Sequence, residues 1–212
     1  MKKFYLMLAF SFFISFPHVE AQEAKEKILS LADILYGLVD HYIIYEVKLD
    51  DTLSKIAKEH GTTLEFVKRV NKLGDNQIKV GQRLTIWNAP FTIEIIKEDN
   101  RLYLNLDGTT IKEYHVSTGK SDSITPVGEF TIQSRYPNPT WFHKGIVVPG
   151  GSPENWLGTR WLGFDKPKFG IHGTIFPELI GQSVSGGCVR MKNHDVEELY
   201  EYIPIGTKVI IK

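Results

Sequence analysis

The tripeptide Asn88-Ala89-Pro90 divides this chain into two stretches of different local character. Proline lacks a backbone N–H and restricts the residue before it, so neither a helix nor a central strand runs through the break. On its N-terminal side, residues 43–87 read as strand, helix, helix, strand. Residues 43–47 make a short strand. Asp51 is placed to cap a helix over 52–60, because its carboxylate can accept from the free amides of the first turn. Gly61 supplies the left-handed stop. Thr62 and Glu65 have capping-box spacing and open a second helix that runs to about residue 71, with Leu64, Val67 and Val70 on one side. Residues 71–81, rich in Gly, Asn and Asp, read as loop, and 83–87 as the second strand. Leu53, Ile56, Ala57 and Val80 are the expected core positions.

Beyond the break the elements are short and β-like. Strands are expected over 91–96, 102–106, 111–117 and 128–134, separated by the turn clusters Glu98-Asp99-Asn100 and Asp107-Gly108 and by the rigid Thr125-Pro126. Residues 136–167, crowded with Pro, Gly and Trp, read as long shaped loops, the kind of segment that carries functional groups. A strand ends at 170–172, a helix covers 194–202, and 208–211 closes the sheet. The expected fold class is therefore an α+β two-domain protein, a small βααβ module followed by a mainly β domain. With 212 residues, 42% of them hydrophobic, the chain can fill such cores, which excludes disorder. Its 25 basic residues balance 25 acidic ones, which argues against nucleic acid as a partner.

The N-terminus has the layout of a secretory signal over residues 1–21. Lys2 and Lys3 precede an apolar run over 4–16, and Val19-Glu20-Ala21 offers small side chains for cleavage. That run is shorter than the ~20 residues a membrane-spanning helix needs, and an uncleaved anchor is the alternative. Residues 22–42 follow as a helical linker, with Ile28, Leu31, Leu35 and Leu38 forming one apolar stripe. The expected location is exported, in the cell wall or periplasm, with no membrane association after cleavage. Cys188 is the sole cysteine, so no internal disulfide forms. Either it is a small buried hydrophobe or its thiol reacts.

Its neighbours bear on that choice. His172 lies in Gly170-Ile171-His172-Gly173-Thr174, sixteen residues before the cysteine in Ser185-Gly186-Gly187-Cys188-Val189-Arg190-Met191. A thiol attacks as thiolate and needs a base or a positive charge nearby, which His172 and Arg190 could supply. Gly186 and Gly187 let the backbone turn sharply and present amides to an oxyanion. Each residue also has a plain structural reading: a hydrogen-bonded histidine, a turn, an ordinary ion pair.

Two resemblances add to this. Tyr45-Glu46-Val47, Asp51-Thr52-Leu53, Ile56-Ala57, Asn71 and Val80-Gly81-Gln82-Arg83-Leu84 resemble a LysM domain, over 43–87. This implies binding to N-acetylglucosamine-containing glycans such as peptidoglycan, with Asp51, Thr52, Asn71 and Ile78 as candidate contacts. Asp50 stands where the LysM pattern usually has glycine. His172-Gly173-Thr174, Ile180-Gly181 and the Ser185 to Met191 run, with Ser117-Thr118-Gly119 and Thr125-Pro126-Val127-Gly128-Glu129-Phe130 upstream, resemble the YkuD-type L,D-transpeptidases over 91–212. The resemblance implies Cys188 as nucleophile, His172 as its proton acceptor and donor, Ser185 and Gly187 as helpers of the site, and Arg190 as a structural or substrate-orienting residue. The implied reaction joins peptidoglycan stems through a thioester into 3-3 cross-links, and carbapenems should acylate the same sulfur. Gly186 replaces the histidine many members carry.

Peptidoglycan stems and glycan strands are thus the expected partners, and oligomeric state is unreadable. No cofactor is implied. No metal is implied either, since one Cys and one His do not complete a zinc site, and adding His143 and His115 would require the fold to bring four ligands together. A sortase-like ligase, a peptidoglycan endopeptidase and a non-catalytic wall-binding protein are the alternatives.

Overall fold

The computed structural model describes residues 41–87, 89–122, 124–143 and 145–212. The expected signal segment and all but the last two residues of the expected helical linker lie outside them. Among the described residues no helix is long and apolar enough to cross a membrane.

The first module is built from β1 (Tyr42–Glu46), α1 (Leu53–Glu59), α2 (Leu64–Val70) and β2 (Arg83–Trp87). The two strands pair antiparallel from Tyr42↔Trp87 to Glu46↔Arg83. Both helix starts differ by one residue from expectation. Thr52, not Asp51, caps α1 by accepting from the Lys55 amide, and Thr63, not Thr62, caps α2 by accepting from Phe66. Asp51 is instead drawn back toward β1, where its carboxylate accepts from the Tyr45 hydroxyl at 2.8 Å and the Lys48 amide at 2.7 Å. These bonds hold its pKa below the ordinary value. Gly61 takes the expected left-handed conformation, φ +62°. Leu53, Ile56 and Ala57 are buried, but Val80 is 66% exposed in the turn before β2 and belongs to no core.

The second module is a curled eight-stranded sheet in the order β13-β11-β10-β7-β14-β3-β4-β5. Its strands are β3 (Phe91–Ile96), β4 (Arg101–Leu106), β5 (Thr109–His115), β7 (Gly128–Pro137), β10 (Arg160–Phe164), β11 (Gly170–His172), β13 (Val189–Arg190) and β14 (Lys208–Ile211). The long β7 joins the halves: residues 128–131 pair with β14, and most of its remainder pairs with β10. Short β6 (Thr118–Gly119) pairs with β12 (Ser183–Ser185), and β8 (Trp141–His143) with β9 (Ile146–Val148) forms a hairpin. Helix α3 (Asn193–Tyr202) buries Val196, Leu199 and Tyr202 and packs on β10 and β11. Residues 136–167 are therefore not all loop. They contain the hairpin and an interior strand, β10, disguised by Gly158 before it and Gly163 within it.

The first module keeps a small core of its own around Leu53, Ile56 and Val67, but its aromatic side joins the core of the second module. Phe66 of α2, fully buried, meets Tyr202 edge-on at 4.9 Å between ring centroids and packs with Trp87 and Phe91, which stack on each other at 5.3 Å. Polar contacts rim this cluster. The Thr63 hydroxyl donates to the Glu201 carbonyl, Arg69 pairs with Glu201, and Arg135 of β7 donates to the Tyr200 carbonyl at 2.5 Å while lying 3.6 Å from Glu65. The glycan-binding resemblance therefore sits on a unit that cannot be cut off cleanly at Trp87, since removing 43–87 would strip Phe91 and Tyr202 of their neighbours.

Phe66→Ala should lower stability by about 3–5 kcal/mol, the usual cost of an emptied aromatic site. Unfolding in denaturant, followed by tryptophan fluorescence and by far-UV circular dichroism, should remain a single coincident transition at a lower midpoint. Two separated transitions in the wild type would show that the modules fold independently.

Candidate active site

The site forms at the sheet edge where β11 and β13 run parallel, in the register Ile171↔Val189 and His172↔Arg190. Two further contacts tie this short ladder down. Met191 N–H donates to the His172 carbonyl at 2.8 Å, and Arg190 exchanges main-chain bonds with Ser117 at 2.8 and 2.9 Å. Cys188 immediately precedes β13, so the pairing carries it alongside the start of β11, one strand over from His172.

Ser185 fixes the turn into Cys188. Its buried hydroxyl accepts from the Gly187 amide at 3.1 Å and donates to the Cys188 carbonyl at 2.5 Å. Gly187 has φ +108°, which a side chain would strain. Its amide is thus engaged with Ser185 rather than presented to an oxyanion. Gly186 is exposed, and a Cβ there would meet nothing within 4 Å, so a larger residue fits at this position without displacing the loop.

Cys188 is half-buried and lines a cleft of about 660 Å³, together with Tyr136, Trp141, Phe142, Leu157, Trp161 and Lys168 among others. The thiol donates to the Lys168 carbonyl at 3.3 Å. His172 is 4% exposed and its Nδ1 lies 2.6 Å from the Gly173 carbonyl. A carbonyl only accepts, so Nδ1 carries the proton and Nε2 is the basic nitrogen of the neutral ring. In this resting arrangement thiol and imidazole are each hydrogen-bonded to main chain rather than to one another.

Burial dominates both groups. It pushes the Cys188 thiol up to about 11, against the opposing Gly170 amide and Arg190 charge. It pulls His172 down to about 4, although the Gly173 and Leu157 carbonyls favour the charged ring; Arg190 lowers it further. The resting pair is therefore neutral thiol and neutral imidazole. Arg190 acts on both groups, and its Nε is buried without a hydrogen-bond partner among the described residues. Its own pKa is lowered, by loss of water around it.

Two asparagines hold the site's loops. Neither was singled out by sequence reasoning, and side-chain amides at turns are the signal that could have found them. Asn193 Oδ1 accepts from Thr174 N at 3.0 Å and Thr159 N at 3.3 Å, fixing the chain after His172. Gly158 and Gly173 are obliged to be glycine, since a Cβ on either would fall 2.2 Å from that oxygen. Asn155, 1% exposed, donates to the carbonyls of Pro139 and Pro149 and accepts from Leu157 N, bracing the cleft wall.

The other candidates are placed elsewhere. Asn71 bonds Val67 and both main-chain groups of Thr85, tying α2 to β2, and Ile78 packs against the first module's core. With Asp51 and Thr52 engaged as described, the polar groups of the proposed glycan contacts are largely committed within the fold. His143 stacks on Trp141 in the hairpin, while His115, on β5 at the far edge of the sheet from β11, contacts Arg101 of β4.

Residues 90–211, more than half of the chain, match the family model of the L,D-transpeptidase catalytic domain, YkuD. The chain belongs to the YkuD-type L,D-transpeptidase family. Residues 45–87 match the LysM domain model, so the observed α+β architecture is a LysM module followed by a YkuD-type domain. The YkuD protein of Bacillus licheniformis is 36% identical over 176 residues, covering 80% of this chain and 98% of its own length. The YkuD protein of Bacillus subtilis strain 168 is 34% identical over 175 residues, with the same coverage of 80% and 98%. The YqjB protein of that strain is 44% identical over 127 residues, 58% of this chain and 70% of its own. Among solved structures, an L,D-transpeptidase from Mycobacterium tuberculosis H37Rv aligns over 81% of this chain and 90% of that one, with TM-score 0.51 and 14% identity, a likeness of fold.

Two outcomes follow from the neutral pair in this YkuD-type domain. Alkylation of Cys188 by iodoacetamide, read by mass spectrometry, should be slow at neutral pH and climb steadily to pH 10; a plateau below pH 7 would mean a preformed thiolate–imidazolium pair. Because His172 titrates near 4 when folded and near 6.5 as a free side chain, unfolding takes up protons between these values. Its contribution to stability is present above pH 6.5 and lost as pH falls toward 4, and His172→Gln should flatten the midpoint's pH dependence in that window.

Proposed function

We propose that this protein is a peptidoglycan L,D-transpeptidase acting outside the cytoplasm, with Cys188 as nucleophile and His172 as general base and acid. The observation that carries the reading is the only cysteine of the chain lining an open cleft, immediately before a strand paired with the one that carries His172.

Since the thiol rests protonated, attack needs a proton acceptor at the moment of bond formation. Nε2 of His172 takes the thiol proton as sulfur adds to the carbonyl preceding a stem's terminal D-Ala, the third residue being diaminopimelate or lysine. Entry of substrate displaces the thiol from Lys168 and lets it turn toward the imidazole. Collapse of the tetrahedral adduct breaks the C–N bond, His172 returns the proton to the departing amine, and D-Ala leaves with the donor held as thioester. The side-chain amine of another stem then adds, giving its proton to His172. Expulsion of sulfur completes a 3-3 amide link and restores the thiol. The number of peptide bonds is conserved, so no nucleotide is consumed. Arg190, charged and short of one partner, stabilises the thiolate as it forms. The LysM module, sharing a core with this domain, would hold the glycan strand and the cleft as one body.

Purified protein incubated with tetrapeptide muropeptides should give, by mass spectrometry, an adduct of donor minus D-Ala on Cys188 and dimers linked 3-3. Cys188→Ala should lower dimer formation by at least about 10³-fold. Cleaved stems with no dimer would assign an endopeptidase, and dimers made by Cys188→Ala would end the reading.

A further inference from the structure

Trp161 lies on β10 directly opposite His172 of β11. The two rings stack, with centroids 5.9 Å apart and planes 21° from parallel. Two residues further along each strand, on the same face, Gly163 pairs with Gly170. Glycine weakens the interior of a strand and is kept where something approaches closely. Here that is the indole. A Cβ on Gly163 would fall 2.5 Å from Trp161 Nε1 and 2.3 Å from Ser134 Oγ, and one on Gly170 would fall 2.6 Å from the Leu162 carbonyl oxygen as well as 2.9 and 3.0 Å from Trp161 Cζ2 and Cη2. The indole thus lies flat along the sheet in a bed that two missing side chains leave open. Its six-membered ring rests on Gly170, the residue whose amide meets the Cys188 sulfur, and it is only half-buried because it also lines the cleft.

We propose that Trp161 is a positioning residue of this site: seated on Gly163 and Gly170, its flat face fixes the plane of the His172 ring and keeps water from it. The bond from Nδ1 to the Gly173 carbonyl fixes one edge of the imidazole but leaves it free to tilt about that bond. The stack removes the tilt. A core tryptophan would be fully covered and would serve equally well as any apolar residue of its size; this one needs its planarity. The proposal rests on the transpeptidase reading for the step it serves, but the geometry it asserts is a property of the resting protein.

The groups that face His172 are few. Arg190 on β13 acts on it directly, the Gly173 carbonyl accepts from Nδ1, and the Leu157 main chain favours the charged ring. On β10, Arg160 lies over Tyr200, and on α3 the carboxylates of Asp195, Glu198 and Glu201 pair with His194, Lys112 and Arg69. A change in the titration of His172 on altering Trp161 therefore reports lost stacking and entering water.

Trp161→Leu and Trp161→Phe both keep apolar bulk over the two glycines, so the strand pair stays covered, but only phenylalanine keeps a flat face. For 3-3 dimer formation, Trp161→Leu should lower kcat by about 10²-fold, the scale of a misplaced catalytic group, with KM little changed. Trp161→Phe should recover most of that loss. In the resting proteins, the NMR titration midpoint of the His172 ring should rise toward the ordinary imidazole value in the leucine variant and stay low in the phenylalanine variant. Equal losses in the two variants, a loss confined to KM, or an unmoved His172 midpoint in Trp161→Leu would each overturn the proposal. If the wild type makes no dimers, the transpeptidase reading fails, and the NMR comparison still decides whether Trp161 positions His172.

Discussion

The two-residue parallel ladder between β11 and β13 is the contact on which the rest of the site depends. Parallel pairs offer evenly spaced but slanted hydrogen bonds and need long connections, so a ladder this short does not hold by itself. It is held from outside, by Ser117 bridging to Arg190 and by Met191 reaching back to His172. The proposed chemistry rests on that register. A slip of one residue would turn Cys188 to the other face and leave His172 beside an unrelated side chain.

Around the ladder, burial and chemistry pull in opposite directions. Covering His172 and the thiol raises the cost of charge on either, and the nearby Arg190 cation favours the thiolate while disfavouring the imidazolium. The balance is a quiet, protonated sulfur, which in the proposed reaction turns nucleophilic only as His172 takes its proton. A neutral thiol is also slow to oxidise, because oxidation and exchange proceed through thiolate. The loops complete this arrangement by main-chain fixation: Ser185 braces the turn, Asn193 the chain after His172, and Asn155 the wall.

The join between the modules is of another kind. LysM sequences read as detachable units, and residues 43–87 have the turns and caps of one. Yet Phe66 and Trp87 are completed by Phe91 and Tyr202 from the other side of the proline break. An aromatic residue on a helix surface does not announce whether its partner belongs to its own module or to the next, so the boundary seen in the sequence marks a change of local structure rather than the edge of a core.

What the sequence determined by itself was local: the βααβ order, the left-handed glycine at Gly61, most strands of the sheet, and the cysteine with its histidine, serine and glycines, because these depend on period, turn chemistry and short spacing. Its errors were local too. Asp51 and Thr62 had capping side chains of the right type, and only the competing bonds of Tyr45 and Lys48 with Asp51, and the one-residue shift to Thr63, decided otherwise. Val80 looked apolar and was left in a turn. The tertiary structure alone decided that β10 is an interior strand, that Trp161 lies over two glycines beside His172, and that the two modules share aromatic rings. Those facts rest on contacts between residues distant in the chain or across a sheet, where the reason for a glycine is the side chain that fills its place, and no linear pattern records that neighbour.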